Sequence, residues 1–136
     1  MDELQQSAKI ATSGLKAQTE RLRTIAQNMA NADSIAERQG EDPYRRRIVS
    51  FRNVVDREIG TALVKTGRVS EDMTPFNRKY DPGNPAADDK GYVLAPNVNP
   101  MVELMDMREA QRSYEANLNV VGLTRKMTQS TIELLK

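Results

Sequence analysis

Apolar residues recur at alternating steps of three and four over both ends of this chain, and that spacing predicts two long helices. Toward the carboxy terminus the stripe runs Leu104, Met107, Gln111, Tyr114, Leu118, Val121, Arg125, Thr128, Ile132 and Leu135, apolar at seven of ten positions. So narrow a repeat is the seam of a coiled coil, which packs against one or two other helices rather than into a globular core. Asn99-Pro100 predicts its start, because an Asn side chain accepts an orphan backbone N–H and proline at the first helical position forfeits no bond. Glu103 then stands near the positive end of the helix dipole. Toward the amino terminus the same spacing runs through Leu4, Ala8, Ala11, Leu15, Gln18, Leu22, Ile25, Met29 and Ala32, broken only by Gln18. It predicts a helix over residues 2–32 that pairs with the first. Gly14 costs this helix about 1 kcal/mol relative to Ala and marks a candidate close approach. The candidates for helix seam and assembly are Leu15, Leu22, Ile25, Met29, Leu104, Met107, Tyr114, Leu118, Val121, Ile132 and Leu135.

Between the helices the pattern changes to β-branched runs separated by Pro and Gly clusters. Ser34–Pro43 has the composition of a loop, and Tyr44–Phe51 that of an edge strand with solvated or subunit-facing arginines. Ala62–Asp72 is expected to form a hairpin turning at Thr66-Gly67. A further strand includes Phe76 and Tyr80, a turn-rich stretch follows, and Tyr92–Ala95 makes a last short strand. The expected fold is α+β: long terminal helices paired in a coiled-coil-like bundle (residues 1–33 and 99–136) with a small β-rich insert (34–98). At about 1.5 Å per residue the helices span about 46 and 55 Å. A compact globule of this length is only about 37 Å across. An elongated subunit that packs beside relatives of itself is expected, with a monomeric helical hairpin as the alternative.

Composition narrows the chemistry. The 136 residues suffice for one modest core, which a 4% aromatic share without Trp makes thin. A net charge of +1 offers no strong attraction for nucleic acid or an anionic membrane. The triplet Arg45-Arg46-Arg47 lacks the extended patch and aromatic interleaving that nucleic-acid binding needs. With no Cys and no His, thiol and imidazole catalysis and the usual zinc ligands are absent. Asp81, Asp88 and Asp89 lack the spacing and terminal Glu of a calcium loop. No catalytic, cofactor-binding or metal-binding residues are expected, and an enzyme is not. The acidic start Met-Asp-Glu-Leu does not fit a cleaved secretory signal, and no run of about 18 apolar residues spans a bilayer.

Gly14-Leu15-Lys16-Ala17-Gln18, Arg21-Leu22 and Asn28-Met29-Ala30-Asn31-Ala32-Asp33 resemble the amino-terminal signature of the bacterial flagellar rod and hook axial proteins. Pro43-Tyr44-Arg45-Arg46-Arg47, the segment from Tyr80 to Asp88, Gly91-Tyr92-Val93 and Pro96-Asn97-Val98-Asn99 resemble segments particular to one rod member. Arg112-Ser113-Tyr114-Glu115-Ala116-Asn117 is similar to the final helix of the family. Asn84 departs from the pattern, which often has His there. The resemblance implies a structural subunit of the proximal rod in the flagellar basal body. It also implies export from the cytoplasm through the flagellar type III apparatus without a cleaved signal. The implied partners are copies of itself, other rod proteins, and the ring and rod-base proteins in the membrane. The alternative function is a helical-hairpin adaptor or export chaperone, folded on its own around a client.

Overall fold

A computed structural model describes residues 2–136. The elements in order are α1 (Asp2–Ala30), β1 (Arg47–Ile48), β2 (Phe51–Asp56), β3 (Thr61–Thr66), β4 (Ser70–Glu71), β5 (Asn77–Tyr80), β6 (Tyr92–Ala95) and α2 (Pro100–Leu134). The two helices pack together, with small antiparallel sheets between them in sequence, so the fold is α+β. Two compact units share the chain: Met1–Leu22, Val49–Arg68 and Arg108–Lys136 form one, Arg23–Ile48 and Val69–Met107 the other.

In the first unit, the amino-terminal part of α1 and the carboxy-terminal part of α2 approach closely at Gly14. A Cβ placed there would lie 2.8 Å from Nδ2 of Asn117. One turn-pair further, Arg21 and Glu109 form an ion pair at 3.4 Å. Hydroxyls on both helices, including Thr12, Thr19, Thr124, Thr128 and Thr131, donate to the carbonyl four residues earlier. These hydroxyls are thereby satisfied within their own helix.

Strands β2 and β3 form the hairpin of this unit, from Phe51 opposite Thr66 to Asp56 opposite Thr61. Its turn lies over residues 57–60. The Asp56 carboxylate accepts the Glu58 N–H at 2.9 Å, the Asp56 carbonyl accepts that of Gly60 at 2.9 Å, and Gly60 takes a φ of 63°. An Asx turn closed by a left-handed glycine outcompetes Thr66-Gly67 as the reversal. Gly67 serves differently: its N–H donates to the Ser50 carbonyl at 2.7 Å, and a Cβ would lie 2.6 Å from the Ser50 hydroxyl. The hairpin is tied to α1 where the Val64 N–H donates to Ser13 Oγ at 3.2 Å and Gln6 donates to the Ile59 carbonyl at 3.1 Å.

In the second unit, the expected strand Tyr44–Phe51 is interrupted after Ile48, and its first part pairs with β4 as Arg47 opposite Glu71. Strands β5 and β6 pair from Asn77 opposite Ala95 to Tyr80 opposite Tyr92. The turn between them is organised by Asp88, whose carboxylate accepts the N–H groups of Lys90 and Tyr92, each at 2.9 Å. Those bonds, that of Tyr92 first, hold its carboxyl below its ordinary value. Val93, Val98, Ala36 and Ala86 are buried here. Asn99 caps α2 as expected, its side-chain oxygen accepting the Met101 N–H at 3.0 Å.

Candidate assembly surfaces

The second unit is centred on a buried polar node. Asn28, 1% exposed, uses its full hydrogen-bonding capacity. Its oxygen accepts from the Tyr44 hydroxyl at 2.8 Å and the Arg47 N–H at 2.9 Å. Its amide donates to the Arg47 carbonyl at 2.9 Å and to Glu103 at 3.4 Å. Glu103 is fully buried and receives the Arg46 Nε–H, while the other guanidinium nitrogens reach Asp72 at 3.2 Å and Asp106 at 3.5 Å. Asn97 accepts the Arg46 N–H at 2.7 Å and donates to the Asp72 carbonyl at 2.9 Å.

Electrostatics follow from this geometry. Burial acts to lower the Arg46 value, but its hydrogen bond and charge contact with Glu103, then those with Asp72, outweigh it and raise the value overall. The N–H of Thr74 is the largest influence holding the Asp72 carboxyl below its ordinary value. Burial pushes the Tyr44 hydroxyl up. Arg45 donates to the carbonyls of Asp72 and Thr74 and lies 4.1 Å over the Phe76 ring. Two of the three consecutive arginines are therefore spent inside the unit rather than presented to solvent or a neighbour. The polar side chains of the node engage one another, so that it clasps α1 and α2 to the segments 44–47 and 72–74. Among the described residues no group of acids is placed to hold a metal ion, and no helix is long and apolar enough to cross a membrane.

The seam candidates fall in three places. Ile25 is buried; Leu15, Leu22, Met29, Leu104, Met107, Tyr114 and Val121 are half-buried; Leu118, Ile132 and Leu135 are exposed. On α2 the fully enclosed positions are Glu103, Ala110 and Thr124, with half-buried Asn117 in the same seven-residue series. On α1 they are Ala11, Ala17, Thr24, Ile25 and Asn28, and the half-buried Gln18 keeps its side-chain oxygen enclosed with no bond. Ile25 apart, the covered stripe is thus small and polar. The larger apolar side chains of α2, among them Met105, Leu118, Leu123, Met127 and Ile132, stand exposed on other faces. Hydrophobic periodicity could not single out Glu103 and Asn28; the signal Glu103 does carry is its place in a seven-residue step with Ala110, Asn117 and Thr124.

Helices joined through small and polar residues, apolar side chains turned outward and a site built as a clasp define a structural subunit for assembly. Comparison with known proteins places it among flagellar rod proteins: residues 89–134 match the family described as flagellar basal body rod FlgEFG protein C-terminal. The flagellar basal-body rod protein FlgC of Agrobacterium fabrum is 50% identical over 136 residues, covering 100% of this chain and 98% of that protein. FlgC of Escherichia coli O6:H1 is 42% identical over 125 residues, 92% of each chain, and FlgC of Aquifex aeolicus 38% over 127 residues, 93% of each. The chain belongs to the FlgC family of flagellar basal-body rod proteins.

Proposed function

We propose that this chain is a structural subunit of the flagellar basal body that polymerises with copies of itself and with other rod proteins into the proximal rod. There it forms part of the shaft that carries torque across the periplasm. The observation that carries this reading is the inversion on α2, where small and polar residues face the paired helix and Leu118, Leu123 and Met127 face away. Rows of exposed apolar side chains are the surface a neighbouring helix covers. Torque is then spread over many modest contacts, and no residue has a chemical role. The flagellar type III apparatus delivers the chain, and ring and rod-base proteins receive it. Leu123, 60% exposed, offers the test, because Leu123→Asp should leave the folded subunit intact. Cells carrying the variant should accumulate it, lack it in isolated basal bodies and fail to swim. Normal motility with the variant present in basal bodies would refute the proposal.

A further inference from the structure

The near-zero net charge conceals a division. The unit Met1–Leu22, Val49–Arg68 and Arg108–Lys136 carries twelve Lys and Arg against eight Asp and Glu, and the other unit eight against eleven. On the basic unit a groove of about 800 Å³ runs between α1 and the hairpin, floored by Ala8, Leu15, Leu63 and Tyr114. Lys9, Lys16 and Lys65 line it, with Glu20 as the carboxylate among the lining residues. Lys65 stands directly opposite Arg52 in the hairpin register, and both are exposed. Like charges facing each other across a ladder are destabilising, so the isolated hairpin carries a cost that an anionic neighbour relieves. Lys9, Lys16, Arg52 and Lys65 take part in no ion pair among the described residues.

The acidic unit presents the complement. Its segment 33–42 exposes Asp33, Glu37, Glu41 and Asp42 against a single cation, Arg38, and none of these carboxylates is in an ion pair among the described residues. Ile35 in the same segment is half-buried and supplies an apolar side chain of a size to meet Leu15 and Leu63. We propose that the Lys9–Lys16–Lys65 groove of one copy receives segment 33–42 of a second copy. Where it is not returned reciprocally about a two-fold axis, the contact is heterologous and leaves a free patch at each end for a further copy. Electrostatic complementarity also fixes its register by opposing alternative pairings of like patches. The inference rests on the reading of the chain as a rod subunit.

Zero-length carbodiimide coupling of isolated basal bodies tests it, because that reagent joins only lysines and carboxylates already in contact. Peptides from the band of two coupled copies should join Lys9, Lys16 or Lys65 to Asp33, Glu37, Glu41 or Asp42. Couplings that use other carboxylates, or that join these lysines only to a different rod protein, would overturn the pairing. Absence of the chain from basal bodies would instead refute the rod assignment beneath it. A charge swap gives an independent reading: Lys16→Glu with Lys65→Glu should lower incorporation by about tenfold or more. Adding Glu37→Lys with Glu41→Lys should restore it. Incorporation of the first variant at the wild-type level, or no recovery in the fourfold variant, would also overturn the pairing.

Discussion

Asn28→Ala isolates the energetic weight of the clasp. The substitution removes four hydrogen bonds at once, to the Tyr44 hydroxyl, both backbone groups of Arg47, and Glu103. A bond removed so that its partner stays buried costs about 1–3 kcal/mol, whereas one whose partner turns to water costs about 1 or less. Tyr44 is half-buried and its hydroxyl regains water, and Glu103 keeps Arg46, so these two bonds fall at the low end. The Arg47 backbone groups lose the partner that fixes the start of β1 and, being part-buried, fall between the two limits. The sum is about 3–4 kcal/mol, a large part of the roughly 5–15 kcal/mol that holds a typical domain folded. Urea unfolding of the purified full chain, followed by circular dichroism, reads it directly. With a slope near 2 kcal/mol/M the midpoint should fall by about 2 M, and the Arg47 amide should lose its protection from hydrogen exchange. Asn31→Ala, three residues on in the same motif, supplies the contrast. Among the described residues its side chain bonds only the local Gln27 carbonyl and the Ser34 hydroxyl, so it should cost less than about 1 kcal/mol. Equal effects of the two substitutions would refute the assignment of Asn28 as the centre of the node.

Two further outcomes follow from local geometry. Gly14→Ala should destabilise the chain despite a propensity gain of about 1 kcal/mol, because the added methyl falls within 3.0 Å of three atoms of the Asn117 amide, which is itself tethered to the Ser113 carbonyl. Gly14→Ala with Asn117→Ala should recover at least the wild-type midpoint in the same unfolding assay, and failure to recover would refute the close approach. The carboxyl of Asp72 titrates lower in the folded chain than its ordinary 3.8, so its contribution is complete above that value and is lost as pH falls through the folded value. In an acid titration followed by circular dichroism, Asp72→Asn should therefore lose less stability than the wild type below about pH 4; parallel curves would count against it.

The helices were legible because their evidence is local. Asn99-Pro100 marks the start of α2 through a bond that the Asn makes two residues on, and the spacing of three and four holds over some thirty residues at each end. The middle of the chain was less legible, since strand partners are chosen by contacts distant in sequence. Thr66-Gly67 has the composition of a turn, yet the reversal occurs at residues 57–60, where an Asp carboxylate and a left-handed glycine act together. Gly67 is needed for a close backbone approach to Ser50, which composition alone does not distinguish from a turn. The roles within the arginine triplet were likewise hidden. Phe76, Glu103 and Asp72 lie between 26 and 57 residues away from the arginines they engage, and nothing in the local pattern links them.

A helix pair can be held by large apolar side chains or by small and polar ones, and the choice affects assembly. Large interlocking residues would exhaust the apolar surface of each helix and leave a stable hairpin with little to offer a neighbour. Here Ala11, Ala17, Thr24, Ala110 and Thr124 are enclosed with Ile25 as the one large apolar side chain among them, and Asn28 with Glu103 adds polar bonds. Buried polar groups add little net stability, but a misaligned pairing would leave each of them without a partner. Register is thus specified by a stripe that consumes few large side chains. The apolar surface that remains, Leu118, Leu123, Met127 and Ile132 on α2, stays exposed. For the polymerising subunit proposed above, this division would separate two tasks: the small polar stripe would set how the chain folds, and the exposed apolar rows how strongly folded chains adhere.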